Sequence, residues 1–422
     1  MRWARKRWHM DIELFESKMR VIADGGVASA AGIKACGIHA GFTDDPNRLD
    51  LALVMANAPV PCAGMFTRNR FCAAPVAVSC AHLGQAGCGR AQAVMVNAGN
   101  ANAATGQAGV AVASEACDIA AQIIGCEPVE VLAASTGVIG VPLGIDRFEI
   151  GLPAAVDACS SAGGSDAARA IMTGDSHPKQ FALTYDSQVL EYVDCSFTVG
   201  GMCKGSGLVM PNMATMIAVL TTDAPIGEQA LRAALGACVE RTFNKVTVDS
   251  GSSTNDTCLL LATGAAGVDV PQIEEGAPAF EEFVHALRVV CESLARSIAL
   301  DSAGASRLVT VNVTGAATDA DADAAARAVA TSPRVHEALM ARAGDWGLVA
   351  SVLGMSGAAF EQTGVSIDIM GVPLCRAGVA VPFDAEELAR RIEGPELVVS
   401  ADLGAGSCAT TMWTCEAMPP RR

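Results

Sequence analysis

Short apolar runs alternate with segments of helical periodicity along most of the chain, and this alternation limits the fold more than any other feature. The runs DLALVMA and AQAVMVNAG predict buried strands. The segment GVAVASEACDIAAQIIG has helical spacing and ends at Gly125, whereas SRLVTVNVTG alternates apolar and polar residues as a half-buried strand does. Strands and helices that follow one another without long linkers favour an α/β fold.

Length and charge narrow the class of protein further. The 422 residues suffice for two or three ordinary domains or for one large α/β unit. Only 4% of the residues are aromatic although 51% are hydrophobic, which indicates that small side chains pack helices tightly against strands. A net charge of −16 argues against broad binding to nucleic acid or to anionic membranes, but it is compatible with a local basic pocket for a phosphorylated cofactor.

The sixteen cysteines are scattered from Cys36 to Cys415 without a C-x-x-C pair, so we expect most of them to be small buried hydrophobes rather than zinc ligands. The basic start MRWARKRW lacks the apolar core of a signal peptide. We expect residues 1–25 to be a disordered extension, or translation to start at Met10 or Met19. No run of about 18 apolar residues predicts a membrane span, and we expect a cytoplasmic protein.

Familiar catalytic motifs are missing. Lys204 lacks the preceding glycine that a phosphate-binding loop requires, no G-x-S-x-G or H-E-x-x-H motif occurs, and the six histidines form no ligand spacing. What remains is a set of turns rich in Gly, Thr and Asn, each after an apolar segment. They are NAGNANAATG (97–106), ASTGVIGVPLG (134–144), CKGSGLVMPNMATM (203–216) and VDSGSSTNDT (248–257). One such turn is typical of a loop with left-handed backbone positions, but four of them indicate a shared site.

Together these turns resemble the ornithine acetyltransferase (glutamate N-acetyltransferase) family of arginine biosynthesis. The similarity runs in order from about residue 26 to about residue 415, and KGSGLVMPNMATMIAVLTTDA is its most specific block. The resemblance implies an α/β fold, a layered αββα sandwich, in a precursor that cuts itself between Ala214 and Thr215. It also implies an alpha chain (26–214) and a beta chain (215–422), which assemble as a heterotetramer of two each.

Self-cleavage would give the chain a nucleophile without a catalytic triad. An internal threonine hydroxyl is a weak nucleophile, but cleavage before Thr215 exposes an α-amino group whose reference pKa is about 7.7–8.0. That amine can take the hydroxyl proton at neutral pH, directly or through a water, so one residue supplies both nucleophile and base. The alternative interpretation of Thr215 is an ordinary threonine in a buried strand.

The resemblance also assigns the other site residues. Thr136 and Gly137 in STGVIG match the pair that fills the oxyanion role in the family, through a hydroxyl and a backbone N–H. A turn at the end of a strand is the alternative for this pair. Lys204 matches a substrate-contacting lysine, and Thr173 matches a substrate-contacting threonine of the family motif MTTDT. That motif is MTGDS here, because Gly174 replaces the second threonine and Ser176 replaces the last.

The reaction implied by the resemblance is a double displacement. Thr215 attacks the acetyl group of N-acetylornithine, releases ornithine and passes the acetyl group to glutamate. Bifunctional members can be loaded from acetyl-CoA instead, so acetyl-CoA is a candidate co-substrate, and we expect no metal and no other cofactor. The expected partners are small-molecule substrates and the two chains of one precursor, without nucleic acid or membrane.

Three departures from the family leave other functions open. Ala303 stands where DGEGA of the family carries a substrate-binding glutamate, DWGL (345–348) replaces NWGR, and the family's tail has no counterpart after Cys415. A frameshift would explain the tail but not Ala303, which indicates divergence or decay. The alternatives are therefore an amidase or aminopeptidase, in which water accepts the acyl group from Thr215, and an unprocessed relic without activity.

Overall fold

The computed structural model describes residues 12–205, 216–247, 253–267, 269–301, 307–341 and 344–416. These residues form two compact units. The first unit holds the described residues within 1–205, 212–240 and 252–294, and the second holds those within 241–251 and 295–422.

The elements are numbered in chain order over the described residues. The helices are α1 (Ile12–Ser17), α2 (Ala74–Leu83), α3 (Gly106–Ile124), α4 (Asp146–Ala158), α5 (Gly164–Ala170), α6 (Glu228–Arg241), α7 (Pro278–Leu300), α8 (Asp319–Ala330), α9 (Pro333–Met340), α10 (Trp346–Met355) and α11 (Ala385–Ile392). The strands are β1 (Met19–Val21), β2 (Ile33–Ile38), β3 (Leu51–Phe66), β4 (Cys88–Asn100), β5 (Val131–Val138), β6 (Lys179–Asp186), β7 (Ser196–Lys204), β8 (Ile217–Thr222), β9 (Thr257–Ala262), β10 (Leu308–Ala316), β11 (Ser366–Ile369), β12 (Val372–Arg376), β13 (Val379–Ala380), β14 (Glu396–Asp402) and β15 (Cys408–Cys415). Short 3-10 helices cover Pro128–Glu130, Leu190–Tyr192, Phe243–Lys245 and Gln362–Gly364.

A nine-stranded sheet organises the described part of the first unit. Its order is β1-β6-β7-β8-β9-β3-β4-β5, and β2 also pairs with β3. The pairs β4–β5 and β8–β9 are parallel and the other pairs are antiparallel. The 16-residue strand β3 pairs with β2 through its first half and with β9 through its second half. Its register with β4 shifts between Met55 and Val60, where the sheet divides into two halves.

The two halves of this sheet face each other across an apolar core. Leu132 of β5 and Ile217 of β8 belong to one buried cluster, although their strands are not hydrogen-bonded neighbours. On the opposite face of the first half, residues such as Leu53 pack with helices α2, α3 and α4. On the outer face of the second half, Sγ of Cys203 lies 3.7 Å from the carbonyl oxygen of Leu294 in α7. Helix, sheet, sheet and helix follow in succession, which confirms the predicted α/β class and its αββα layering.

The second unit contains a six-stranded sheet in the order β13-β12-β11-β14-β10-β15, in which β10 and β14 are parallel. Helices α8 to α11 supply apolar side chains to its core. The sequence predicts a helical segment with a break near Pro333, and this is confirmed, because α8 ends at Ala330 and α9 begins at Pro333. Ser332 caps α9 by accepting a hydrogen bond from the N–H of Val335.

Residues 12–25 are ordered, although the sequence predicts a disordered extension over residues 1–25. Within residues 12–25, α1 forms and β1 pairs antiparallel with β6. Phe15 is fully buried, and its ring centroid lies 5.3 Å from that of Tyr185. The disorder predicted for residues 12–25 is therefore wrong, because so short a helix is stabilised by tertiary packing that sequence propensity does not reveal. Residues 1–11 lie outside the described residues.

The structure also bears on the cysteines, on membrane-spanning helices and on metal-binding clusters. All sixteen cysteines carry thiols, and nine of them are buried, as expected for small hydrophobes. In the part of the chain that the structure describes, no helix is long and apolar enough to cross a membrane, and no cluster of three or more His, Cys, Asp or Glu side chains could hold a metal ion.

Candidate active site

Thr136 and Lys204 meet at one end of the sandwich, although 68 positions separate them in the sequence. Side chains alternate along a strand, so Thr136 on β5 and Lys204 at the end of β7 face inward in phase with the core residues Ala134 and Met202. Nζ of Lys204 lies 3.4 Å from Oγ1 of Thr136 and 2.6 Å from Oγ1 of Thr173. The fold thus gathers three of the predicted site residues around one ammonium group.

Asp175 holds this lysine and the loop around it in place. Its Oδ1 accepts hydrogen bonds from Nζ of Lys179 and from the N–H of Gly205, both at 2.7 Å. Its Oδ2 accepts from the N–H of Thr173 at 3.0 Å and lies 3.7 Å from Nζ of Lys204. Sequence analysis missed Asp175, because the motif comparison gave a role only to Thr173. The available signal was an acidic residue in the polar turn TGDSHPK, four positions before Lys179.

The attraction between opposite charges in this cluster offsets part of the free-energy cost of burying them. Burial raises the pKa of the Asp175 carboxyl, but the ammonium groups of Lys204 and Lys179 and the hydrogen bonds together outweigh burial, so the pKa lies below its ordinary value. Burial lowers the pKa of Lys204, and the Asp175 carboxylate offsets only part of that effect. A charge held in a dry site interacts more strongly with its neighbours than a hydrated one does.

Gly137 is required by strand packing. Its φ is +133°, and a Cβ at this position would lie 2.2 Å from the carbonyl carbon of Gly99. The register between β4 and β5 shifts here, where Asn100 is paired with both Thr136 and Val138. Glycine therefore lets β5 pass close to β4 at an irregular point of the sheet. The sequence motif predicts only an oxyanion role for Gly137, and this contact between strands was not foreseen.

The first Gly/Asn-rich turn supports the loop that follows Gly137. Nδ2 of Asn100 donates to the carbonyl of Val141 at 3.1 Å, and Oδ1 of Asn100 accepts from the N–H of Asn102 at 2.8 Å. Asn102 adopts a left-handed conformation with φ of +45°, which asparagine tolerates better than most residues. The asparagines in this turn act as a scaffold for the predicted oxyanion loop.

The fourth turn reaches the same end of the sandwich. Nδ2 of Asn255, a buried residue, donates to the carbonyl of Ser135 at 2.8 Å and to that of Ala101 at 2.6 Å. Ser135 directly precedes Thr136, so Asn255 ties the strand that carries Thr136 to the start of β9. Sequence analysis placed Asn255 in a Gly/Thr/Asn-rich turn but gave it no function.

Asp256 lies beside the strand that follows Thr215 in the chain. Its Oδ1 accepts the N–H of Met216 at 2.9 Å, and the side chain is fully buried. Burial raises the pKa of this carboxyl to about 8, although the Met216 N–H and the nearby hydroxyls of Ser253 and Thr67 act in the opposite direction. Oδ2 has no well-aligned hydrogen-bond partner among the described residues. A carboxyl group that is mostly protonated at neutral pH therefore adjoins Met216.

Three positions from the sequence analysis lie outside the described residues: Ala214, Thr215 and Ala303. The described chain resumes at Met216, and the next residue, Ile217, pairs with Lys204 across the β7–β8 ladder. The chain thus re-enters the sheet beside the lysine that contacts Thr136 and Thr173.

Hydroxyl groups fixed beside a buried ammonium are what an acyl-transfer enzyme needs at a developing oxyanion. Comparison with known proteins gives the family. The sequence profile of the ArgJ family matches residues 34–418. The chain is 44% identical over 393 residues to a protein named "Arginine biosynthesis bifunctional protein ArgJ" from Symbiobacterium thermophilum, covering 93% of this chain and 95% of that protein.

A relative of the same name from Thermus thermophilus is 40% identical over 392 residues, covering 92% of this chain and 93% of that protein. A solved structure of ornithine acetyltransferase complexed with ornithine, from Mycobacterium tuberculosis, is 37% identical and has a TM-score of 0.41, covering 47% of this chain and all of that one. The profile and the curated relatives place this chain in the ArgJ family. It is an enzyme, an acyltransferase of arginine biosynthesis.

Proposed function

We propose that this enzyme transfers an acetyl group from N-acetylornithine to glutamate through an acetyl-Thr215 ester, after cleavage between Ala214 and Thr215. The observation that carries the proposal is the contact of Lys204 with Thr136 at 3.4 Å, beside the strand that begins two residues after Thr215. The printed names of the relatives, which include arginine biosynthesis and ornithine acetyltransferase, support the choice of substrates.

Lys204 prepares Thr136 for the oxyanion role. Because Nζ of Lys204 donates to Oγ1 of Thr136, the lysine polarises the hydroxyl and leaves it able to donate its own proton. A hydroxyl that accepts from a cation is a stronger donor, since hydrogen bonds in a chain reinforce one another. The Thr136 hydroxyl and the Gly137 N–H then receive the negative oxygen of the tetrahedral intermediate. Asp175 acts through Lys204 by keeping its ammonium in place.

The position of Thr215 in the chain fits this geometry. Ile217, the first residue of β8 and the second after Thr215 in the chain, faces the inner core that Thr136 and Lys204 border. The hydrogen bond to Asp256 fixes the N–H of Met216, the residue that follows Thr215 in the chain. We infer that Asp256 positions the nucleophile, while the α-amino group of Thr215 serves as its base.

The proposed steps balance as follows. Oγ of Thr215 attacks the acetyl carbon while its proton passes to the α-amine of the same residue. The tetrahedral intermediate collapses, the C–N bond breaks, and the leaving ornithine nitrogen takes that proton. The glutamate amine then attacks the ester and gives a proton to the α-amine of Thr215, and Oγ of Thr215 takes that proton as the ester C–O bond breaks and N-acetylglutamate departs. Each step uses the same oxyanion donors.

The experiment is a transfer assay with N-acetylornithine that carries an isotopically labelled acetyl group. We expect label in N-acetylglutamate when glutamate is present and, after acid quenching without glutamate, label on the peptide that begins at Thr215. Release of labelled acetate at the same rate with and without glutamate would instead indicate an amidase, and no labelled peptide would remove Thr215 from the mechanism.

Two finer points extend the proposal. The relatives are named bifunctional, so we propose that acetyl-CoA can also load Thr215, which an assay with acetyl-CoA and glutamate tests directly. We further propose that the two chains made by cleavage remain together as a heterotetramer of two each. Light scattering on the purified enzyme would give twice the mass of one precursor, and a mass equal to one precursor would contradict it.

A further inference from the structure

Cys36 and Cys159 face each other across a short antiparallel bridge, away from the candidate active site. Ala35 and Ser160 exchange both backbone hydrogen bonds, at 2.9 and 3.0 Å. The next positions along the two segments are Cys36 in β2 and Cys159, which ends α4 with extended backbone (φ −62°, ψ 124°). Such a non-hydrogen-bonded pair has its Cα atoms about 4.5 Å apart, within the roughly 4.4–6.8 Å that a disulfide spans.

The two side chains also share one environment. Both pack in the apolar cluster beneath α3 and α4, with Cys36 buried and Cys159 half-buried. Sγ of Cys36 lies 3.1 Å from the carbonyl of Ala155. A hydrogen bond between the two thiols lowers the pKa of Cys36, and the same contact raises the pKa of Cys159. The two thiols therefore lie close enough to interact.

We propose that Cys36 and Cys159 form an oxidisable pair, which a low-molecular-weight disulfide such as glutathione disulfide converts to an intramolecular disulfide. The half-buried Cys159, as its thiolate, attacks the small disulfide, forms a mixed disulfide and releases one glutathione thiolate. The second cysteine of the pair then attacks the sulfur of the first, the mixed S–S bond breaks, and a second glutathione leaves. Two protein thiols and one small disulfide thus give one protein disulfide and two glutathione thiols.

The position of the pair gives this modification a structural consequence. Cys159 lies in the connection between α4 and α5, which joins the segment after Gly137 to the segment that carries Thr173 and Asp175. A disulfide to β2 would fasten this connection to the sheet. Because the bond closes a long loop in the unfolded chain, we expect the oxidised enzyme to unfold at a temperature several degrees higher than the reduced enzyme.

Trypsin makes the test unambiguous. Cleavage after Lys34, Arg48, Arg147 and Arg169 places Cys36 alone in peptide 35–48 and Cys159 alone in peptide 148–169. The purified enzyme is incubated with glutathione disulfide, the remaining thiols are alkylated under denaturing conditions, and the peptides are identified by mass spectrometry. We expect the linked pair 35–48/148–169 as the main disulfide product, and we expect it to disappear after reduction.

Two variants separate a specific pair from general oxidation. Cys159→Ser should abolish the linked peptide and the shift in unfolding temperature. Cys88→Ser is the matched control, because Cys88 is half-buried like Cys159 and has a cysteine, Cys62, on the adjacent strand. Cys62 pairs with Gly89 rather than with Cys88, so the two side chains point to opposite faces of the sheet and should not form a disulfide. The proposal would be overturned if Cys36 and Cys159 were both recovered in the alkylated form, and hence as thiols, under conditions in which other cysteines become glutathionylated. A stable mixed disulfide at Cys159 alone would also overturn it.

Discussion

The backbone N–H of Met216 donates to Oδ1 of Asp256 across 2.9 Å. This bond joins the residue that follows Thr215 to a buried carboxyl at the entrance of the neighbouring strand β9. The carboxyl has a pKa of about 8, because burial disfavours its charged form. The N–H of the residue after the proposed nucleophile is therefore held by a group that is mostly neutral at physiological pH.

The first prediction concerns the pH dependence that Asp256 imposes. In the folded state the carboxyl keeps its proton up to about pH 8, whereas in the unfolded chain it loses it near a pKa of about 3.9. The folded state thus binds the extra proton between these values, so stability falls as pH rises, by at most about 1.4 kcal/mol per pH unit. Asp256→Asn should remove this slope.

The measurement is urea unfolding at pH 6, 7 and 8 in a Thr215→Ala background, which keeps the protein as one chain. Two proteins are compared in this background, one that retains Asp256 and one that also carries Asp256→Asn. The difference between their unfolding free energies should shift steadily in favour of the asparagine variant as pH rises. Parallel curves for the two proteins would show that Asp256 carries its charge in the folded state.

The second prediction is processing. The purified protein should give two pieces on a denaturing gel, and the second piece should begin with the sequence TMIAVLTTDA. Thr215→Ala should give one full-length band, because no hydroxyl is left to attack the preceding peptide bond. Thr215→Ser keeps a hydroxyl and should still be cut. An active wild-type enzyme that remains one band would disprove the assignment of the nucleophile.

The third prediction concerns the oxyanion. Thr136→Ala should fold and be processed, yet lose about 2.7–4 kcal/mol of transition-state stabilisation, the amount typical of one such donor. The loss should be seen in kcat, with a much smaller change in KM, because the donor acts on charge that develops during the reaction. Thr136→Ser retains the hydroxyl and should recover most of the activity. Unchanged turnover of the alanine variant would exclude Thr136 from the reaction.

The fourth prediction concerns Asp175. Asp175→Asn removes the carboxylate that pairs with the buried ammonium of Lys179 at 2.7 Å, and breaking a buried ion pair typically costs about 3–5 kcal/mol of stability. Asp186→Asn is the control, since Asp186 forms a largely exposed ion pair with Arg20 and its loss should cost about 1 kcal/mol or less. Urea unfolding of both variants compares the two sites. Equal destabilisation would show that Asp175 is not a buried counterion.

The fifth prediction comes from Ala303. A charge-assisted hydrogen bond to a substrate amine contributes about 1.5–3 kcal/mol, and alanine cannot make it. We expect a raised KM for N-acetylornithine, and we expect Ala303→Glu to lower it in part. Steady-state transfer to glutamate by both proteins is the test. A low KM in the wild type and no gain in the variant would show that this position does not bind the substrate's charge.

The sequence predicts much of the fold because its signals are local. The Gly125 that ends α3 has φ of +85°, and the alternating run over β10 forms a strand as expected. The layering came from family resemblance, since no periodicity reveals which strands face each other. Helix α1 escaped prediction because the burial of Phe15 against Tyr185 joins segments far apart in the chain.

The residues of the candidate site also fall into two groups, those that sequence motifs predict and those that only contacts in the structure reveal. Thr136, Thr173 and Lys204 could be named from motifs, and the structure gathers them. Asp175, Asn255 and Asp256 could not be given roles, because a role that consists of holding another residue is defined by contacts rather than by residue type. Asp256 shows this most clearly, since its neighbour Met216 lies 40 positions away.

The long strand β3 has a consequence for how the chain can change. Its first half belongs to one layer of the sandwich and its second half to the other. The alternation of side chains along this one strand therefore fixes which of its residues face the core in both layers. Deleting one residue between Met55 and Val60 would turn the side chains of one half over relative to the other, exchanging core-facing for helix-facing positions. Single-residue insertions, which surface loops tolerate, should therefore disrupt the fold at this point of β3. A change in the length of this segment affects both layers at once.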